Sequence, residues 1–183
     1  MGYGTVSRLF HWITVAIVIV MIPVGLTMVE EVPRALQDRL FILHKGLGAC
    51  FLVFILARIA WRVLNPPPPL PADLPRAQRL AASAVHLLLY ALLLTMAVSG
   101  YVRVTAGGFP IELFDALGLP PAFGKNEAVA EAAKAVHATA KTVLIAAIAL
   151  HLGAALYHGL VLRDGILARM WPPVGRVGPS ARR

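Results

Sequence analysis

His137 and His151 stand fourteen residues apart in one apolar stretch of a 183-residue chain. On a helix rising ~1.5 Å per residue with ~3.6 residues per turn, both imidazoles leave nearly the same face, ~21 Å apart along the axis. One metal ion cannot bridge that gap. Two flat cofactors stacked through a bilayer, one near each surface, can each take one of these rings. His11 and His44 lie near the starts of two other apolar segments. Four histidines at two depths fit two bis-histidine haems, with electron transfer across or along a membrane as the consequence. Ionisable groups in a membrane interior are functional candidates by default.

Composition places these histidines in a membrane. Apolar residues make up 58% of the chain and charged residues 14%, with a mean hydropathy of +0.74; a soluble domain averages about a quarter charged. The net charge of +8 does not point to nucleic acid, because the cations flank apolar stretches, the usual signal of membrane topology. The one cysteine, Cys50, lies in an apolar run and is expected as a small buried apolar residue. No CxxC or CxxCH is present. That removes c-type attachment and iron–sulfur ligation and leaves haem b, held noncovalently. There is no HExxH motif either, and His151 and His158, seven residues apart, are too distant on a helix to share a zinc or copper ion.

Four apolar spans position the histidines, at about residues 9–29, 40–64, 78–102 and 130–162. Each reaches the ~20 residues that cross a ~30 Å hydrocarbon core. The expected fold is all-α, one transmembrane four-helix bundle over residues 1–183. Pro23 and Gly25 predict a kink or local unwinding in the first span. The apolar stretch 13–29 is long for a signal peptide and has no small-x-small site after it, so it reads as a retained helix. Residues 65–75 are proline-rich and expected to be extended. In the longest connection, 103–129, residues 111–117 suit a short interfacial helix. The tail, 163–183, is basic and expected to fray at its end. Lys and Arg divide ten to seven in favour of the side with the N-terminus, the second connection and the tail, which puts both termini in the cytoplasm.

With that orientation, His44 and His137 share the outer level and pair with each other. His151 lies at the inner level, where both His11 and His86 are within its reach; helix rise alone does not choose between them. Small residues such as Gly46, Gly48, Ala147 and Gly153 would let a macrocycle lie against helix backbones. Carboxylates of such cofactors need cations: Lys45 for the outer one, and Arg58, fourteen residues after His44, for the inner one. Lys45, Arg103, Lys134 and Lys141 are candidate attractors of a small anion at the outer surface. Ser7, Arg8, His158 and Arg163 gather at the inner surface, where a quinone would need polar contacts and protons. His158 suits a proton relay because imidazole as a side-chain type titrates near physiological pH.

Several segments carry a resemblance: Ser7-Arg8-Leu9-Phe10-His11-Trp12, His44-Lys45-Gly46-Leu47-Gly48, Arg58-Ile59-Ala60-Trp61-Arg62 before Asn65-Pro66-Pro67-Pro68, and His137, His151 and His158. Together they resemble bacterial cytochrome b561, over nearly the whole chain. The pattern is also similar to the cytochrome b subunits of membrane formate dehydrogenases and nickel–iron hydrogenases. The resemblance implies two haems b in a multi-pass protein of the bacterial inner membrane, with His11 and His151 on the inner haem and His44 and His137 on the outer. His86 is then a non-ligand. It further implies exchange with the ubiquinone pool. Family members of this length include superoxide oxidases, which take an electron from superoxide outside and pass it to ubiquinone. The expected activity is therefore that of an oxidoreductase moving electrons from a periplasmic donor, superoxide foremost, to ubiquinone, with Lys45 and His158 in the working parts. The alternative is a membrane anchor and electron conduit for a separate dehydrogenase or periplasmic redox partner.

Overall fold

The computed structural model describes residues 2–71 and 74–171. Among these, five α-helices follow in order: α1 (Thr5–Thr27), α2 (Arg34–Leu64), α3 (Arg76–Ala106), the short α4 (Glu112–Ala116) and α5 (Glu127–Leu156). A π-helical turn (Tyr157–Leu162) extends α5, and a 3₁₀ turn (Leu167–Arg169) follows. Among the described residues there is no strand. Four helices, α5 with its extension among them, are long and apolar enough to cross a membrane.

α2, α3 and α5 with its π-helical extension cover their expected spans, and most of the expected ends are overrun by several residues; α1 stops at Thr27, short of the expected 29. The overrun is polar: Arg34 opens α2 and bonds Asp38 one turn on, at 3.1 Å, so the helix propagates past the apolar stretch into water. Pro33 and Pro75 immediately precede α2 and α3 with φ near −53° and −52°, a dihedral already suited to helix entry. Asn126 caps α5 by accepting from the Val129 N–H at 3.1 Å. α1 runs through Pro23 as continuous α-helix. The local unwinding anticipated there does not occur; membrane helices tolerate the missing bond when neighbours surround it. Residues 65–71 carry no regular structure, and the short helix anticipated in the long connection is α4. Of the tail anticipated to fray, residues 172–183 lie outside the described residues, as do Ala72 and Asp73 of the proline-rich loop.

Heptad seams run down α5, through His137 and His151, and down α2, from His44 through Phe51 and Ile55 to Arg58. On α5 the seam is Ala130, Ala133, His137, Ala140, Leu144, Ala147 and His151, spaced alternately three and four; its five apolar members are buried. Such a 3–4 repeat is the signature of helices packed nearly antiparallel in a bundle. Lipid supplies no hydrophobic drive between helices, so close backbone approach through small residues takes its place. The alanines do this for α5, whose most extensive packing is on α3; α2 packs on both α1 and α3. Midway along the bundle, Phe51, Ile55, Leu93, Ala97 and Leu144 form a buried apolar layer. Cys50 is exposed on α2, a correction to its expected burial. Phe51 holds the seam position, and one residue of helix turns Cys50 about 100° away from it.

Candidate functional site

The apolar layer separates two groups of histidines. At the end holding the α3–α5 connection, the rings of His44 and His137 lie with centroids 6.4 Å apart and planes at 80°. At the opposite end, His11 and His151 stand 6.3 Å apart at 71°. The two pairs draw on three helices, α1, α2 and α5, with His137 and His151 on the last, and their near-equal separations reflect a common arrangement. His86 from α3 also reaches the second group, 5.3 Å from His151. Sequence left His11 and His86 as rivals for His151, and the structure brings both to it, with only His11 reproducing the spacing of the other pair.

The backbone makes room for these rings at two glycines. A Cβ on Gly25 of α1 would meet His44 Cε1 at 2.8 Å, and one on Gly100 of α3 would meet His137 Cε1 at 3.1 Å. Gly46 and Gly48, singled out from sequence, instead face Leu113 and Met21 at ordinary contact distance. His137 Nδ1 lies 3.1 Å from Ser99 Oγ. Ser99 has one hydroxyl proton and donates it to the Thr95 carbonyl at 2.6 Å, so its oxygen accepts from His137 Nδ1–H. That fixes the tautomer and leaves Nε2 with a free lone pair for a metal. His44 Nδ1 is buried with no hydrogen-bond partner.

The cations are arranged differently from expectation. Lys45 donates to Glu112 Oε1 at 2.6 Å and to the Pro110 carbonyl at 2.8 Å. It fastens α4 over the His44 end, and its charge is balanced there instead of standing free. Burial pushes the Glu112 carboxyl up, but the hydrogen bonds from Lys45 and the backbone and the ammonium charge outweigh this and hold it below the ordinary glutamate range. Lys134 is exposed and paired with Glu131. Arg103 and Lys141 are half-buried and carry no ion pair or side-chain hydrogen bond among the described residues; Arg103 is close enough for Coulombic interaction with both His44 and His137.

At the other end, Arg58 reaches across to α1. Its Nη1 donates to the Phe10 carbonyl and to Thr14 Oγ1, both at 2.6 Å, and its Nε to Tyr90 Oη at 3.3 Å. Arg58 is close enough to His11 for Coulombic interaction, and these donors are engaged by protein acceptors and pin α2 to α1. Ser7 Oγ accepts from Trp61 Nε1 at 3.1 Å. Arg8 is buried and donates to Thr5 Oγ1. His158 Nδ1 pairs with Asp164 Oδ2, and Arg163, exposed and at φ 51°, turns back to the Leu160 carbonyl at 3.2 Å. Ser7, His158 and Arg163 thus have separate partners. Sequence reasoning overlooked Arg169, which is buried here; its position in a basic tail gave no signal of that.

A membrane-type helical bundle with two histidine levels about an apolar layer defines the class, and comparison with known proteins gives the family. The family model for prokaryotic cytochrome b561 matches residues 2–173. The chain is 36% identical over 170 residues to cytochrome b561 homolog 2 of Escherichia coli (strain K12), covering 92% of this chain and 90% of that one. It is 29% identical over 171 residues to the probable superoxide oxidase CybB of Yersinia pestis, covering 93% and 96%. Cytochrome b561 homolog 1 of E. coli (strain K12) is 30% identical over 132 residues, covering 70% and 72%. The chain belongs to the prokaryotic cytochrome b561 family: it is a membrane haem protein, and membership implies b-type haem.

The residues present fit that group. Two imidazoles that each place a nitrogen ~2.0 Å from a shared metal have centroids ~6 Å apart, which both histidine pairs match. A haem held by two histidines would need no further protein ligand, whereas a bare ion would need more. Among the described residues no three His, Cys, Asp or Glu side chains converge as an ion site.

Proposed function

We propose that the protein is a di-haem cytochrome b of the bacterial inner membrane that oxidises superoxide at its loop end and reduces ubiquinone at its terminal end. The observation that carries this is the pair of matched imidazole separations, 6.3 and 6.4 Å, on either side of one apolar layer. Similarity to a probable superoxide oxidase supports the choice of donor. His44 and His137 hold one haem, and His11 and His151 the other, with His86 beside the second as a non-ligand. When bound, the two haems supply one-electron carriage between a one-electron donor and a two-electron acceptor. Two superoxide anions, one ubiquinone and two protons give two dioxygen molecules and one ubiquinol.

The chain's own residues do the rest. Both termini face the cytoplasm, by the balance of Lys and Arg. Ser99 and the glycine contacts fix ring orientation at the outer pair. Phe51, Ile55, Leu93, Ala97 and Leu144 keep water from the space between the two levels. Arg103 and Lys141, the cations near the outer pair without partners among the described residues, attract the anionic donor; Lys45 serves the site by holding the loop over it, because Glu112 balances its charge. His158, paired with Asp164, delivers protons to quinone at the inner surface, with Ser7, Arg8 and Arg163 lining the approach.

The test is turnover of purified protein in liposomes with enzymatically generated superoxide and ubiquinone. Arg103→Glu should slow superoxide-driven haem reduction at low salt and flatten its dependence on ionic strength, since steering is screened by salt. Quinol-driven reduction should stay intact. No superoxide-driven ubiquinol formation by the wild-type protein would refute the activity, and unchanged Arg103→Glu kinetics at low salt would refute the steering.

A further inference from the structure

Arg169 lies in the segment that follows the π-helical turn, and this segment folds back onto the end of the bundle that holds His11 and His151. Trp12, the neighbour of His11, donates from Nε1 to the Met170 carbonyl at 2.9 Å, and its ring meets that of Trp171 at 5.3 Å. The Tyr3 N–H donates to the Arg169 carbonyl at 3.1 Å. Arg169 is 8% exposed, a burial rare for arginine. Its Nη2 donates to the Pro68 and Pro69 carbonyls at 2.7 and 2.9 Å, and its guanidinium lies 5.6 Å from the Tyr3 ring centre. Nε and Nη1 are also buried, and neither has a hydrogen-bond partner.

Leaving charged N–H donors buried and unpaired is costly, so a site that does so has an anion to receive. The acid of the same segment is not that anion: Asp164 is committed to His158 and to the Ile166 N–H. The guanidinium is close enough to act electrostatically on His86, whose ring stands 5.3 Å from His151. Arg58, the cation expected from sequence to meet a cofactor carboxylate, has its Nη1 and Nε engaged with Phe10, Thr14 and Tyr90. Guanidinium suits a carboxylate in both charge and geometry.

We propose that Arg169 is the carboxylate-binding residue of the inner site, receiving a propionate of the haem held by His11 and His151. This rests on the di-haem reading above. The C-terminal segment then has a definite role, in which Trp12, Tyr3 and the Pro68–Pro69 carbonyls clamp it so that one cation faces the cofactor.

The experiment is a redox titration and haem-retention assay on full-length wild-type, Arg169→Gln and Arg169→Lys proteins in nanodiscs. In Arg169→Gln the midpoint of the inner haem should fall, because an unbalanced carboxylate favours ferric iron, and inner haem should transfer to apomyoglobin about tenfold faster. The outer haem should keep its midpoint and occupancy, which also reports that the bundle is folded. Arg169→Lys should recover most of the midpoint. Unchanged inner-haem midpoint and retention in Arg169→Gln overturn the proposal, and so does loss of both haems in Arg169→Gln with Arg169→Lys like wild type in midpoint and retention. An Arg169 effect seen in discs with phosphatidylglycerol but absent in pure phosphatidylcholine would assign the guanidinium to a lipid phosphate and overturn it as well. The underlying reading fails separately, if wild-type protein binds a single haem or His151→Ala loses none.

Discussion

Replacing Gly25 by alanine should selectively weaken the outer haem. The added methyl would sit 2.8 Å from His44 Cε1 and 3.3 Å from Nδ1. Carbon pairs settle at ~3.5 Å or beyond, so the ring must retreat by ~0.7 Å. Functional groups need to be held within about 0.5 Å of their productive geometry, which makes this shift large for an axial ligand. Overpacking of this kind costs about 1–3 kcal/mol. At 1.4 kcal/mol per tenfold, haem at the His44–His137 pair should bind roughly 5- to 150-fold more weakly. The helix itself does not suffer, since alanine is the better helix former than glycine by about 1 kcal/mol. Reduced-minus-oxidised spectra with haem quantitation read the effect: outer haem partly or wholly lost, inner haem unchanged. Gly153→Ala is the control: Gly153 is exposed and stands about 200° of helix away from His151, not, as expected from sequence, on the face that a macrocycle would lie against; it should change neither haem. Full occupancy and two unaltered midpoints in Gly25→Ala would refute the contact as a determinant of ligand placement.

Further outcomes follow from the same geometry. Ser99→Ala removes an acceptor from His137 Nδ1–H; the outer haem should bind about 10- to 100-fold more weakly, while Ser99→Thr, which keeps the hydroxyl, should restore it. His86→Ala should retain both haems with low-spin spectra, whereas His11→Ala should lose the inner one; the reverse result would reassign the ligand. The Lys45–Glu112 pair should make the loop pH-sensitive. Glu112 is held below its ordinary value when folded, so the stabilisation is present above the ordinary glutamate pKa, ~4.3, and is lost as pH falls through the lower folded value. Hydrogen exchange of residues 110–117 should therefore accelerate in that acid window, and Lys45→Met should abolish the pH dependence.

The sequence was most informative where function follows helix period. Fourteen residues from His137 to His151 and from His44 to Arg58 are two heptads, a local property, and the structure keeps each pair on one seam. The membership of His86 in the inner group was also legible by depth. What could not be read were rotations about helix axes and contacts between distant segments. Gly25 and Gly100, not Gly46 or Gly48, lie against the histidines, because which face of α1 or α3 meets a ring depends on packing. Lys45 looked like a free cation until Glu112, 67 residues away, came to meet it. Arg169 looked like part of a solvated tail, although the segment docks on Trp12 across 158 residues.

The central claim is that four histidines hold two haems b at two separate levels. It is tested most directly by haem quantitation after acid–acetone extraction, on wild-type, His137→Ala and His151→Ala proteins purified with the same lipid. The account predicts two extractable haems per wild-type chain and one in each variant, with His137→Ala keeping the spectrum that His151→Ala loses. A wild-type stoichiometry of one, haem that stays on the protein, or loss of both haems from a folded single variant would contradict it.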